Sequence, residues 1–533
     1  MIIYFLIFTS FLYSQIDVGI NYEMKYSKGE NEQSDYFEHY FDINLYKDNL
    51  YLYSLLKYKD PALIGSKTKD FDQILDNFYL EYSNDKYLLT AGNIFYSFGS
   101  GLSFYSYEDR TIDYNNSPQG LSLLYYLSDN LDLYAMAGTN TFESRTNPSF
   151  IEPNISIKNN VMLSGLTFQS NYTDFHYMFM INKQNYNSQT IKSLSGLNNV
   201  LGSDLLHKLQ YSNLNDYKMT VLEHNFGSNI YLGDLELYFE RSWIYHNKIH
   251  DERTSGYKYY FSSYLTLADY GILYEYKKYN NPYYYSVYSN PPIVFRETTS
   301  VLVSRNLHNI DFSNEVGHHI LINKSFLNGC NMIVSSAFAF RQLYDDSVIE
   351  PGFGEIFNSM ISLESLDNFN SDIKPYRQMY FELNGWNKND NIFYKIGFDN
   401  YYEYSDSKIL KAKTIPTQFI YKYNKYNSLG LYFEYQAGNY ISSNQNKYSI
   451  YFNPSINFKS KIIASLFYNL EKNTTIETED DYIGVEITAY ITNSNILSVF
   501  YGSQKGGLIC SNGTCVMQPD FDDGIKVTSK FLF

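Results

Sequence analysis

From Ile16 onward the chain alternates with a period of two: Ile16, Val18, Ile20, Tyr22, Met24 and Tyr26 fall on one side, and Asp17, Gly19, Asn21, Glu23 and Lys25 on the other. Strand side chains point alternately to two faces, so one face here suits hydrocarbon and the other suits water. About nine to eleven residues, tilted by about 45°, cross a bilayer core as a strand, and the segment has that length. The signature returns at Met379/Phe381/Leu383, Ile392/Tyr394/Ile396/Phe398, Leu429/Leu431/Phe433/Tyr435, Ile483/Val485/Ile487/Ala489/Ile491 and Ile525/Val527/Ser529/Phe531/Phe533. It predicts an all-β chain, a single-chain transmembrane antiparallel barrel over residues 16–533. The last strand, ending on Phe533, resembles the signal by which barrels engage the assembly machinery of the outer membrane.

Tight connections at 47–49, 84–85, 128–129, 267–269, 459–461 and 492–495 are expected to face the periplasm. Long polar segments at 59–75, 94–117, 139–159, 183–203, 280–314, 342–374, 471–480 and 503–523 are expected on the outside, where function concentrates. Counting from both ends gives about 25 strands, and bacterial single-chain barrels have even numbers, so 24 or 26 are expected. The two counts lose phase between Leu205 and Trp243, and Pro454 inside a regular strand predicts a bulge. Residues 1–15 open with MIIYFLIFTSFLY, an apolar run without alternation that reads as a cleaved signal peptide, although no Lys or Arg precedes it.

Mean hydropathy is negative, and no later stretch of about eighteen apolar residues appears, which excludes a helical membrane protein. Aromatic residues make up 19%, led by 59 Tyr, the side chain suited to a membrane interface or a wet lumen. A net charge of −16 without a basic run argues against nucleic acid. The nine histidines fall in no nucleophile, zinc or phosphate-loop motif, so neither catalysis nor a cofactor is expected. His318 and His319 point to opposite faces of a strand and cannot share a metal ion. Cys510 and Cys515 in ICSNGTC are read as a loop disulfide of an oxidising compartment or as half of a metal site; the lack of a second Cys pair or a nearby His favours the disulfide. Cys330 is read as a structural residue.

A barrel this wide needs inward loops or long side chains to narrow it. The best candidate is 94–117, where Gly99 and Gly101 permit tight turns and Glu108, Asp109, Arg110 and Asp113 gather charge. That cluster is either an ion-paired anchor or a constriction whose field orients dipolar solutes and favours cations. Inward positions carry more acids (Asp17, Glu23, Glu38, Asp42, Glu81, Glu275, Glu315, Glu382, Asp399, Glu434, Glu486) than bases (Lys25, Lys277, Lys395, Lys526, Lys530). Together with the acidic outer segments near Asp345 and Glu477, this gives weak cation preference if the lumen is open, or merely a soluble surface. Tyr283, Tyr284, Tyr285 and Tyr288 suit sugar stacking or an ordinary aromatic girdle.

Three stretches, GSGLSFYSYEDR with Gly120, EYKKY followed by NPPIVFRE and Glu315, and GSQKGGLICSNGTC, resemble an uncharacterised family of outer-membrane barrel proteins. Members of that family carry Arg after the second Cys, where this chain has Val516. The resemblance implies an integral barrel of a Gram-negative outer membrane, in contact with its lipid and lipopolysaccharide, and gives no substrate. Two functions are compatible with it: a porin-like channel passing small polar solutes, and a non-conducting surface barrel whose loops bind a glycan or a partner protein. The mature chain should sediment with outer membranes and dissolve only in detergent. A detergent-free soluble monomer would contradict the period-two reading.

Overall fold

The first strand, Asp17–Gly29, pairs on one side with Tyr36–Lys47 and on the other with the last strand, Phe521–Leu532. Asn21 stands opposite Leu532 and Tyr22 opposite Phe531, so the sheet closes on itself. In this computed structural model the closed antiparallel sheet has 24 strands, each beside its neighbours in sequence. The structure describes residues 16–533 except 31–34, 69–73, 146, 148, 196–215, 250–251, 282–285, 307, 309, 311–313, 328, 342–350, 363–365, 367–368, 370–372, 406–407, 441–444 and 512–513. The expected signal segment, 1–15, lies outside the described residues.

Outward positions are the apolar ones: Val18, Phe41, Leu121, Met162, Phe239, Phe398, Ile415, Leu431, Ile483 and Ile487 are all exposed. In water each such side chain would forfeit roughly 1.5–3 kcal/mol of burial, which a continuous lipid belt removes. Near the short turns the belt ends in aromatic residues, among them Tyr46 stacked on Tyr51 with centroids 4.5 Å apart, and exposed Tyr172, Tyr270, Tyr421 and Tyr426.

Every second connection is a short turn, including all six expected ones. Asp48, Ala268 and Lys459 take positive φ of 50°, 50° and 53° there, the left-handed backbone that matches strand twist across a tight hairpin. The segment that lost phase divides into Asp216–Leu232 and Leu235–Ile249, joined at Gly233 with φ 64°.

Three expected loops are largely wall. Strands run through Leu131–Ser144, Ile155–Gln169, Thr173–Asn187, Ile462–Asn473 and Thr478–Tyr490, so 139–159, 183–203 and 471–480 shrink to short connections or, after Asn187, start later. Thr139 to Thr141 and Lys158 to Asn160 are polar on both faces, so alternation vanishes although pairing continues. At about 3.3 Å per residue, the 17-residue strands Asp216–Leu232 and Lys408–Asn424 exceed what a bilayer requires, and the wall projects beyond it. By contrast, the consecutive strands Leu75–Ser83, Tyr87–Asn93 and Gln119–Ser128 have nine, seven and ten residues and leave a notch in the rim.

The bulge expected at Pro454 is absent. Pairing keeps one register from Phe452 opposite Tyr468 to Ser455 opposite Ser465. Proline lacks the N–H that its ladder partner needs. The neighbouring Asn453 side chain donates from Nδ2 to the Leu466 carbonyl at 2.9 Å instead, so the ladder continues. Asn453→Ala removes that donor and should cost about 1–3 kcal/mol. The check is guanidinium unfolding in lipid vesicles, and an unchanged midpoint would remove the amide's role.

Candidate functional site

Inward positions carry charge, and a charge taken out of water needs a partner. Two loops that fold into the lumen supply many of them. Residues 94–118 leave the seven-residue strand Tyr87–Asn93 and run inside the wall to the strands Asp216–Leu232, Leu235–Ile249 and Glu252–Leu267. There the Ser100 N–H donates to Glu240 Oε2 at 2.8 Å, Lys258 Nζ to the Leu102 carbonyl at 3.1 Å, and Asn225 Nδ2 to Ser103 Oγ at 2.9 Å. Glu240 also accepts from Tyr238 Oη at 2.6 Å. Phe98 and Phe104 pack among inward-facing Met136, Leu163, Met178, Met180 and Val221, an apolar core inside the barrel. Gly99 and Gly101 lie at this tip with φ +59° and +82°. A Cβ on Gly99 would stand 2.5 Å from the His176 ring and 2.7 Å from Glu240 Oε1, so only glycine permits the approach.

The second loop, 281–313, was expected outside, yet much of it lies within. Lys277 Nζ donates to the Ile293 carbonyl at 2.7 Å, Arg296 pairs with Glu382 at 3.4 Å, and Arg305 Nη1 donates to Asn469 at 3.3 Å. The Val301 and Leu302 N–H groups donate to the two Glu434 oxygens at 2.7 and 2.6 Å. His308 sits between Glu403 at 2.8 Å and Glu315 at 3.2 Å. Burial opposes its charge, but the two carboxylates outweigh that and raise its pKa to about 9. The loops join inside the barrel: Tyr105 N–H donates to the Tyr288 carbonyl at 2.6 Å, Asn290 N–H to the Gly101 carbonyl at 3.0 Å, and Asn116 Nδ2 to the Val287 carbonyl at 2.9 Å. Tyr288 is fully buried against Phe104 rather than presented to a sugar; Tyr283, Tyr284 and Tyr285 lie outside the described residues.

The return limb of the first loop forms a small hairpin, Glu108–Asp109 against Tyr114–Asn115, above the three short strands. Asn115 Nδ2 holds it to Asn77 at 2.9 Å, and Asn140 Nδ2 to the Asn116 carbonyl at 2.8 Å. Arg110 reaches Asp42 and Tyr53, Nη1 donating to Asp42 Oδ2 at 3.1 Å, with Nε 3.7 Å from Glu108. Burial opposes this guanidinium's charge, and the Asp42 hydrogen bond with the Glu108 and Asp42 charges overcomes it. Asp113 binds Lys59 at 2.8 Å and Arg145 at 3.2 Å, while Asp109 accepts the Thr111 N–H at 2.8 Å.

Beside this hairpin lies a cavity of about 610 Å³. All four charged candidates, Glu108, Asp109, Arg110 and Asp113, line it, whereas Gly99 and Gly101 belong to the loop tip. Asp76 and Glu143 add acid, and Lys57, Lys59 and Lys158 add base, giving five carboxylates against four cations. Burial, followed by the Asp76 charge, raises the Glu108 pKa to about 7, so near neutral pH the cavity carries almost no net charge.

Most inward acids are engaged elsewhere: Glu38 accepts the Leu63 N–H at 2.9 Å and Glu275 pairs with His319 at 2.7 Å, beside Glu315, Glu382 and Glu434 already described. Glu223, Glu240 and Lys258 escaped the sequence reading because they stand in or beside the segment of ambiguous phase. Placing the turn at Gly233 makes Glu223, Asn225 and Glu240, Ser242 inward by alternation. At the C-terminal loop, register sets Cys510 opposite Cys515 in the hairpin Gly507–Ser511/Thr514–Gln518, and their side chains lie outside the described residues. Val516 packs with Ile64 and Ile112. Among the described residues no group of three His, Cys, Asp or Glu is placed to hold a metal.

A closed barrel with an apolar exterior and loops packed inside defines an outer-membrane type of β-barrel protein. The chain belongs to the family of unknown function DUF6029, whose model matches residues 9–533. No curated protein matches it. Among solved structures it is similar to a mutant of the ferric enterobactin receptor PfeA of Pseudomonas aeruginosa, at 5% identity over 98% of this chain and 81% of that one, TM-score 0.45. The copper transporter OprC gives 9% identity, the same coverage and TM-score 0.45. The P pilus usher PapC translocation pore gives 11% identity, 97% and 99% coverage, and TM-score 0.44.

Because the Glu108 pKa rises from 4.5 to about 7 on folding, the folded chain binds the extra proton between those values. Its contribution to stability therefore falls as pH rises through that window. Glu108→Gln should flatten the dependence of stability on pH between 4.5 and 7, measured as the unfolding midpoint in denaturant. An unaltered pH profile in the variant would show that Glu108 titrates normally.

Proposed function

We propose that this barrel resides in the outer membrane and passes small polar solutes along the mixed-charge cavity beside its internal loops, without a cofactor. The observation that carries the reading is that cavity: a roughly balanced set of carboxylates and cations around Glu108, Arg110 and Asp113. A transverse field of this kind orients dipolar solutes and discriminates weakly by charge. The five-to-four excess of carboxylates over cations around this cavity gives a small cation preference. Cys510 and Cys515, opposite in register, suit a disulfide that would stiffen the loop in an oxidising compartment.

A second reading, a non-conducting surface barrel that binds a glycan or partner protein, has its own support. The apolar core around Phe98, Phe104 and Tyr288 and the hydrogen-bonded seam between the loops fill lumen that a wide porin would leave to water.

Planar-bilayer recording separates the two. The channel reading expects small unitary currents whose reversal potential in a KCl gradient shifts slightly towards potassium at pH 8 and less at pH 6, as Glu108 protonates. Glu240→Ala weakens the seat of the first loop by about 1–3 kcal/mol and should raise mean conductance. Silence from wild type and variant alike would favour the surface barrel, and anion selectivity would sink the cation preference.

A further inference from the structure

We propose that the charged cavity is a side port: small polar solutes enter it through the flank of the barrel, over the three short strands, past the outward-facing pair Glu143 and Lys158. The port rests on the channel reading above, to which it adds an entrance and two further residues that set charge preference.

The wall is lowest at the notch. Tyr87–Asn93 has seven residues and Leu131–Ser144, two strands away, has fourteen, a difference of about 23 Å along the strand at about 3.3 Å per residue. The gap lies between Leu50–Lys59 on one side and Leu131–Ser144 on the other. A bulge shapes its floor. Leu55 is opposite Asn77 and Leu56 opposite Leu75, so Asp76 is the extra residue, and its carboxylate meets Lys57 at 2.7 Å. Bulges collect at barrel rims because they re-aim a side chain in this way.

Both faces of the wall line the cavity. Along Leu131–Ser144 the even-numbered residues face the lumen: Asn140 donates to the Asn116 carbonyl at 2.8 Å and accepts from Tyr288 Oη at 3.0 Å, and Phe142 is buried in the internal apolar core. Thr139, Thr141 and Glu143 alternate with them and are exposed on the outer face. On the next strand Asn160 is opposite Thr139 and Lys158 opposite Thr141, both exposed, while Asn159 between them turns inward and is 1% exposed. Asn140 and Asn159 line the cavity, and so do Thr139, Thr141, Glu143 and Lys158. A cavity confined to the lumen would touch the inner face alone; this one passes over the rim to the outer face. The charges follow the same course. Glu143, on the outer face, interacts electrostatically with Asp113 of the internal hairpin and with Lys57 across the gap.

The outer mouth stands at the lipid boundary. Gln119, Thr139 and Asn160 border the cavity, and two residues below them on the same face come Leu121, Ala137 and Met162. Leu121 and Met162 are exposed members of the apolar belt. Against hydrocarbon the outward Glu143 and Lys158 would be costly, so this patch meets water just above the bilayer. A solute at the membrane surface thus reaches Glu108, Arg110 and Asp113 sideways, through a mouth that carries one acid and one base.

The test is planar-bilayer recording of the full mature chain with substitutions on the outer face, where an axial pore would not feel them. Thr141→Trp should lower unitary conductance at least about twofold, because current follows the bore of the path. Lys158→Glu should move the reversal potential in a KCl gradient further towards potassium. At about 1 M salt the Debye length is about 3 Å, so a charge that lies off the path is screened and has no such effect. Lys413→Glu, exposed on the outer face of Lys408–Asn424 away from the notch, should leave conductance and reversal potential as in wild type. Full conductance in Thr141→Trp, the wild-type reversal potential in Lys158→Glu, or an equal shift from Lys413→Glu would each overturn the port. A wild type that carries no current overturns the channel reading and the port with it. A conducting wild type that is insensitive to both outer-face substitutions overturns the port alone.

Discussion

The interior of this barrel is governed by the cost of burying charge. A sheet of 24 strands encloses more volume than its own side chains fill, and the inward positions are rich in Glu, Lys and Arg. Water would satisfy those groups in an open pore. Here the loop backbone does so over much of the lumen: Glu240 takes the N–H of Ser100, Glu434 those of Val301 and Leu302, and Lys258 and Lys277 the carbonyls of Leu102 and Ile293. Wall charge and loop amide each supply what the other lacks, which is why short irregular segments can hold one position inside a wide cylinder.

That exchange divides the lumen by chemistry. Where the loops meet wall residues such as Met178, Met180 and Val221, the contact is apolar and dry. Where the first loop returns past the notch, the contact is ionic, and the packing leaves the cavity around Arg110. The proposed function rests on this asymmetry within the chain itself.

Much of the architecture was readable because period-two alternation is a direct image of a two-faced wall. It gave the class, the tight turns and the inward side of Glu38, Asp42, Glu382 and Glu434. It fails where the two faces stop differing: Thr139 to Thr141 and Lys158 to Asn160 are polar on both sides, so the wall there has the pattern of a loop. The charged cluster at Glu108 to Asp113 is visible as composition, whereas its partners Asp42, Lys59 and Arg145 are remote in sequence and come together only when the strands from Tyr36–Lys47 to Leu131–Ser144 have paired. The inward course of 281–313 and the outer-wall position of Phe353–Ile361 had no periodic signal, since both are set by single contacts with a finished surface. Pro454 misled for a simpler reason: a neighbouring side chain took over the missing backbone donor.

The span of the first loop's attachments constrains the order of assembly. Leu102 is held by Lys258, 156 positions further along the chain, and Ser100 by Glu240, 140 positions on. Neither contact exists until the strands between have zipped together, and the second loop needs strands later still. The first loop therefore seats only once the strand Glu252–Leu267 is in place, and the second only once Ile462–Asn473 is, so a nascent barrel passes through a hollow stage that its mature form no longer displays.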